Sequence, residues 1–424
     1  MNRRGLRLAA CLLTLAMAPV TPPSLDAQAT DTLRLAEVIA VARAANPMLR
    51  AAQLEADAAL ARVPQVGALP DPSLSFNLRN RPLNGFGTQE RMTLNTIALR
   101  QTLPWPGKLG FAEEREAHLA EASGLSARDI EMTLIARVKS VYYEIAYMDR
   151  ALDIMRETRD LLREFLDVSN TLYAVGEGLQ TDVLQAQVSV ATMTESITVV
   201  QQNRLAQAAR LNALLGRGPE WPVSVLELPD PGGALPSIAS LMSRAERDRP
   251  ALLAARERVR AAESGYRAAR RALYPNLTVG ADYSQRPQFA DMMSFSVGVS
   301  VPLFAGSRQL PQRTEALARQ AAEEAGQLDL LNETYARLAE ARAASEEARR
   351  LHDLYSTSIL PQARAAVESS LSAYRVGGVD FSTLVQNELT VNRAEIERVR
   401  LTAAYHSAVA DIEALLGGNL EEVR

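Results

Sequence analysis

The stretch that decides the fold is Ser294-Phe-Ser-Val-Gly-Val-Ser-Val301, "SFSVGVSV", in which Phe295, Val297, Val299 and Val301 alternate with Ser294, Ser296, Gly298 and Ser300. Side chains of a strand point to opposite faces in turn, so this segment carries one apolar and one polar face. The pattern also runs through 277–284, where Leu277, Val279, Ala281 and Tyr283 alternate with Thr278, Gly280, Asp282 and Ser284. It appears again at 73–79, with Leu74, Phe76 and Leu78 set against Ser75, Asn77 and Arg79. A fourth segment, 92–101, is less regular, because Leu94 falls out of phase with Ile97 and Leu99. Strands are therefore predicted at ~73–80, ~92–101, ~276–284 and ~293–301, close to the ~9–11 residues of a membrane-spanning strand. A half-buried sheet over a helix layer would alternate in the same way, so the surrounding sequence has to discriminate.

Each strand pair runs into a proline-containing joint, "LPWPGK" (103–108) or "VPLFAGSR" (301–308). The Gly107-Lys108 pair fails as a phosphate loop, since Leu109 stands where Ser or Thr is needed and Thr102 where the first glycine is needed. Pro104 and Pro106 lack the N–H that a strand ladder uses, so they end pairing, and Pro106 suits the approach to a helix. At a membrane surface Trp105 would lie at headgroup level with Lys108 snorkelling beside it, and Pro302 and Gly306 would do the same job in the second joint. Beyond the first joint there is no proline between Gly107 and Gly218. A helix over 110–172 would be ~95 Å long at ~1.5 Å per residue. The second long helix contains Pro361, which predicts a kink or local break.

The chain is written twice. Residues 45–74 lie over 248–277, with Pro47 on Pro250 and Pro72 on Pro275, both pairs 203 apart. "LYAVGEGLQTDVLQAQ" (172–187) lies over "AYRVGGVDFSTLVQNE" (373–388), and "LNALLG" ending at Gly216 over "IEALLG" ending at Gly417, both 201 apart. Each copy reads as a first helix broken at Asn46-Pro47 or Arg249-Pro250 and ended by proline, then two strands and a long helical hairpin. The organisation expected is a first repeat over 30–215 with its hairpin at ~110–215, a Pro- and Gly-rich linker over 216–236, a second repeat over 237–418 with its hairpin at ~312–417, and a tail over 419–424.

At the N-terminus Arg3, Arg4 and Arg7 precede an apolar run from Leu8 to Ala18, and Ala27-Gln28-Ala29 offers a cleavage site, so 1–29 reads as a secretory signal peptide. Cys11, the single cysteine, precedes most of the apolar run, which argues against a lipoprotein site. The mature chain would then hold neither disulfides nor thiol chemistry. No apolar run of 18 residues follows, so membrane contact falls to the strands. With 46 basic against 50 acidic residues and no basic block, nothing points to a nucleic-acid partner. His118, His352 and His406 are scattered without ligand spacing, and Met292-Met293 reads as strand-edge packing, so neither metal nor cofactor is expected. No carboxylate pair or Ser/His/Asp set stands out as catalytic.

Four strands cannot close a barrel, and open sheet edges are not tolerated in lipid. Sharing strands among three chains would give twelve, enough for a watery lumen lined by Ser, Thr, Asn and Gly.

The duplicated plan, the interrupted first helix, "QTLPWPGK" with its copy "SVPLFAG", and the tip motif Y-x-V-G resemble the TolC family of outer-membrane efflux channels over about 33–418. The resemblance implies an α+β membrane protein: a homotrimer whose shared 12-stranded β-barrel in the outer membrane continues into a long periplasmic α-helical barrel. It implies an exit duct, not an enzyme, that docks a periplasmic adaptor and an inner-membrane efflux transporter and conducts small molecules or metal cations. By resemblance the adaptor-facing tips are Tyr173, Val175 and Gly176, and Tyr374, Arg375, Val376 and Gly377. The family's entrance carries aspartates after the second tip, but the matching positions here are Thr383 and Gln386. Asp182, Gln185 and Asp380 are the other candidates for the periplasmic entrance. "PWPGK" resembles members associated with heavy-metal and cation efflux. The alternatives are a periplasmic adaptor, which has one hairpin between β-domains, and a coiled-coil scaffold, which has no use for alternating strands.

Overall fold

A computed structural model describes residues 34–83, 87–88, 90–374, 376 and 378–420. The signal segment, Cys11, Arg375 and Gly377 lie outside the described residues. The chain opens with α1 (Leu35–Ala45) and α2 (Pro47–Gly67). Asn46 separates them in an extended conformation, and its Oδ1 accepts the N–H groups of Met48 and Leu49 at 3.0 and 3.1 Å. This satisfies two of the donors that a helix start leaves open, and Pro47 occupies the position where a missing N–H does no harm. The break is a helix end followed by a fresh start. α2 then tolerates Pro64 inside it and ends at Gly67, ahead of Pro70 and Pro72. Arg249, also extended, separates α5 (Ile238–Asp248) from α6 (Pro250–Arg271) in the second copy.

From the first joint, α3 (Lys108–Ala174) runs 67 residues without interruption, ~100 Å at ~1.5 Å per residue, and α4 (Gln180–Leu214) returns. In the second copy α7 (Gln309–Leu354) passes through one π turn (Tyr355–Ile359) into α8 (Leu360–Tyr374), and α9 (Phe381–Leu416) returns. The interruption that Pro361 predicts is this π turn. Pro361 has no N–H for Thr357, and its ring would press on that carbonyl in a regular helix, so the wider turn just before it relieves both problems.

Both returning helices end against the break in their own copy. Gly216 (φ 66°) lies so close to the end of α1 that a Cβ would stand 2.8 Å from the Ala45 oxygen. Gly417 (φ 75°) would put one 2.7 Å from the Asp248 oxygen at the end of α5. Asn46 Nδ2 also donates to the Leu214 carbonyl at 3.0 Å. Val38, Leu49, Leu134, Val138, Tyr142, Leu211 and the linker's Leu226 form the core at this level.

The sheet comprises β1 (Ser73–Arg79), β2 (Leu94–Leu103), β3 (Asn276–Gln285) and β4 (Met292–Ser300), in that order and antiparallel throughout. Its register lines up Phe76, Ile97, Tyr283 and Met293 in one row, and Leu74, Leu99, Ala281 and Phe295 in the next. These larger side chains and Val297 and Val299 stand exposed, a continuous apolar face with no covering element among the described residues. The opposite face carries Ser75, Asn77, Thr96, Arg100, Thr278, Asp282, Ser294 and Ser296. Leu94, out of phase in the sequence, falls on that polar face opposite Arg79. β1 and β4 each keep one unpaired edge among the described residues. Among the same residues no helix is long and apolar enough to cross a membrane.

The glycine contacts yield a stability test. Gly417→Ala should lower the thermal midpoint of the purified protein, because the left-handed backbone alone costs ~1–2 kcal/mol with a Cβ and the Asp248 carbonyl blocks the added atom. Gly218→Ala, where a Cβ meets nothing within 4 Å, should leave the midpoint unchanged. Equal midpoints for the two variants would contradict the close packing of α9 on the α5–α6 break.

Candidate functional site

At the far end of the helices the first hairpin turns through Val175 and Gly176 (φ 80°), with the N–H groups of Glu177 and Gly178 both on the Leu172 carbonyl at 2.9 and 3.0 Å. Glycine at 176 takes a left-handed conformation that a side chain would strain. In the second hairpin Val376 and Gly378 both donate to the Ala373 carbonyl, at 3.2 and 2.8 Å. Val175 and Val376 are left exposed, the latter at 82%.

The two matched tyrosines differ. Tyr173 is exposed, whereas Tyr374 is half-buried, packs on Phe381 with ring centroids 5.5 Å apart and lies near Ser169 of α3. Burial pushes the Tyr374 hydroxyl above its usual pKa. Asp182, in the first turn of α4, is half-buried, and its pKa is raised first by that burial and then by the negative charge of Asp380. The fold thus brings the two acidic positions, 198 residues apart in sequence (182 and 380), within electrostatic reach of each other. Both sit at helix starts, where the dipole favours negative charge. Gln185, Thr383 and Gln386 are exposed on the same two helices.

Behind the tips, α3 and α8 leave an apolar recess of about 160 Å³ lined by Leu161, Phe165, Val168, Leu371, Tyr374 and Leu384. These residues follow ordinary helical spacing, so no sequence signal singles out the recess; only the structure shows Val168 exposed beside it. The polar sheet face was likewise legible only as a pattern. There Arg100 approaches Asp282 to 3.7 Å across β2 and β3. Gly280 makes room for it, since a Cβ would stand 3.2 Å from Arg100 Cγ and 2.7 Å from Ser296 Oγ.

The joint departs from its sequence reading. Trp105 is stacked on Tyr274 with ring centroids 5.4 Å apart. Lys108 does not snorkel beside it: Nζ donates to the Tyr274 carbonyl at 2.8 Å and to Asn276 Oδ1 at 2.7 Å. Burial lowers its pKa. Lys108 therefore ties the start of α3 to the start of β3, a contact between the two copies that no local pattern announces. Pro104 and Pro106 flank Trp105 after β2 ends, and Gly107 (φ 88°) turns the chain into α3. Pro302 and Gly306 follow β4, but Gly306 lacks the left-handed turn of Gly107 and a Cβ there would meet nothing within 4 Å. The two joints are not equivalent.

The histidines serve packing and pairing. His118 Nδ1 meets Glu257 Oε2 at 2.7 Å, His406 stacks on Tyr143 at 4.6 Å, and His352 is buried in α7. Among the described residues no group of three or more His, Cys, Asp or Glu could hold a metal ion.

The family model described as "Outer membrane efflux protein" matches residues 38–217 and 241–418, one segment in each copy. The chain belongs to the outer membrane efflux protein family. It is an outer-membrane protein and not an enzyme. It is 27% identical over 324 residues to the pyoverdine export outer membrane protein OpmQ of Pseudomonas aeruginosa, covering 72% of this chain and 65% of that one. It is 28% identical over 298 residues to the fusaric acid resistance protein FusA of Burkholderia cepacia, covering 64% of this chain and 55% of that one. The chain thus spans less than two thirds of either relative's length. The solved outer-membrane channel OprN superposes with a TM-score of 0.79 at 20% identity over 91% of this chain and 90% of that one. This efflux protein accordingly shares the channel's fold, a helical body with a four-stranded antiparallel sheet at one end.

The acidic pair gives a second test. Asp182→Asn with Asp380→Asn should reduce cation selectivity in single-channel recordings. In the unsubstituted protein, lowering the pH should neutralise Asp182 earlier than an ordinary aspartate, because its pKa is raised. Selectivity that ignores both changes would remove these residues from the entrance.

Proposed function

We propose that three copies of this chain close a duct through the outer membrane and that it serves as the exit of a tripartite efflux system. The observation that carries this reading is the sheet: among the described residues its apolar face is uncovered, its opposite face is polar, and its two outer edges are unpaired. Twelve shared strands would satisfy those edges, set the apolar face against lipid and enclose a polar lumen. α3, α4, α7, α8 and α9 would continue that lumen as an α-helical barrel across the periplasm.

The far tips would then receive a periplasmic adaptor. Support comes from Val175 and Val376, held exposed by tight turns, and from the apolar recess between α3 and α8. A partner helix lays apolar side chains into such a recess, so Tyr173, Val175, Gly176, Tyr374, Arg375, Val376 and Gly377 mark the docking region. Asp182 and Asp380, with Gln185, Thr383 and Gln386, would line the entrance, where a ring of carboxylates favours cations. The duct performs no chemistry: conduction is passive, and the inner-membrane transporter supplies energy and selects cargo. The names of OpmQ and FusA refer to pyoverdine export and to fusaric acid resistance, which favours a small organic molecule as cargo.

Cell fractionation tests the duct. The protein should appear in the outer membrane as a trimer released by detergent, and a monomer in the soluble periplasmic fraction would refute the reading. Deleting the gene should sensitise cells to at least one compound in a panel of organic acids, drugs and metal salts.

A further inference from the structure

At the end of the sheet away from the helices, two segments carry the charge. Residues 79–92 hold Arg79, Arg81, Glu90 and Arg91, and residues 285–292 hold Arg286 and Asp291. Four arginines against two carboxylates leave +2 per chain (4 − 2) at this end.

The geometry sorts these charges between the two faces of the sheet. Arg79 stands on the polar face opposite Leu94, exposed, and its side chain makes no hydrogen bond or ion pair among the described residues. Gln285 pairs with Asn95, so Arg286, the next residue, comes level with Leu94 from the other side. The Arg286 guanidinium lies 4.6 Å from the Phe289 ring and reaches Met292 Sδ at 3.5 Å, and Met292 pairs with Ser284 on the polar face. Arg79 and Arg286 are thus two strand spacings apart, roughly 10 Å. Their neighbours lean the other way. Arg81 donates to Asn95 Oδ1 and Asp291 accepts from the Tyr283 hydroxyl, and Asn95 and Tyr283 side with Leu78 and Ile97 on the apolar face. Glu90 and Arg91 are adjacent and offset each other. Asp282, the carboxylate of the polar face, lies four residues nearer the helices, about 13 Å along β3, and faces Arg100. The outer end of the polar face therefore carries two guanidiniums with no carboxylate partner among the described residues.

We propose that Arg79 and Arg286 form an anion-binding ring at the outer mouth of the lumen, and that its ligand is a small dissolved molecule bearing several oxyanion groups. The inference rests on the duct reading, which makes the polar face the lumen wall and supplies six guanidiniums from three chains. Because that face turns away from lipid, the occupant is a solute and not a membrane headgroup. Guanidinium forks match oxyanions with paired, charge-assisted hydrogen bonds, and rings of arginine favour anions in pores. The acidic tips do not cancel this field: they lie at the far end of α3, ~100 Å away, whereas charge is screened within ~8 Å at physiological salt.

The test is equilibrium dialysis of the full-length protein, purified in detergent at low salt, against labelled citrate, acetate or uncharged triethyl citrate. Citrate should bind far more tightly than acetate, because it engages several guanidiniums at once, and triethyl citrate should not bind. Arg79→Gln and Arg286→Gln should each weaken citrate roughly tenfold, as expected for one charge-assisted hydrogen bond. Arg79 has no side-chain partner to lose, so its substitution reads the ring without disturbing the fold. Citrate held no more tightly than acetate, or unweakened in both variants, would overturn the proposal. Sedimentation of the same sample reports the oligomer: a monomer refutes the duct and the ring together, whereas a trimer indifferent to citrate refutes the ring alone.

Discussion

A backbone N–H or C=O inside a lipid layer finds no water, and leaving it unpaired is costly enough that only helices and closed barrels cross membranes. Among the described residues the sheet of this chain has two edges with no partner of their own. In the outer membrane those edges demand pairing, and the chain's other features follow from that demand. The short strands alternate because one face meets lipid and the other water. The joints must turn each strand pair into long helices without leaving donors in hydrocarbon, and proline at 104, 106 and 302 serves by having no N–H to leave.

The duplication solves a second problem. Each long hairpin has to be anchored where it meets the first helices of its copy, and both copies use one device: a helix restarted at proline, with the glycine end of the returning helix pressed on the break. Gly216 against Ala45 and Gly417 against Asp248 are the same contact made twice. The capping residue differs, Asn46 in one copy and Arg249 in the other. Both are buried, but Arg249 makes no side-chain cap and instead faces Thr334 of α7 and approaches Asp129 of α3. Duplication preserved the backbone solution while the side chains diverged.

Much of this was legible in the sequence because it is written in local periodicity. Alternation located the four strands, and the absence of proline located α3. Pro361 located an interruption, though not its π geometry, which depends on how the backbone accommodates the missing donor. What stayed hidden are contacts between residues far apart in the chain. Lys108 looked like a headgroup ligand because its neighbours are Trp105 and proline, yet its partners are Tyr274 and Asn276, more than 160 residues away. Tyr173 and Tyr374 occupy matched positions in the repeat, and only the packing of Phe381 and Ser169 separates an exposed ring from a half-buried one. The meeting of Asp182 and Asp380 likewise belongs to the tertiary fold and to no motif.

The π turn at Tyr355–Ile359 has a mechanical meaning. α3 is an unbroken rod, with the regular i to i−4 ladder along its 67 residues. The α7–α8 strut, of similar length, has one wide turn followed by a proline, where that ladder is interrupted. A force applied at the tips meets two springs of unequal stiffness. The first hairpin passes the load along its length, while the second yields at a point 15 residues short of its tip (Ile359 to Tyr374). Two hairpins of nearly equal length and common origin thus become a stay and a lever.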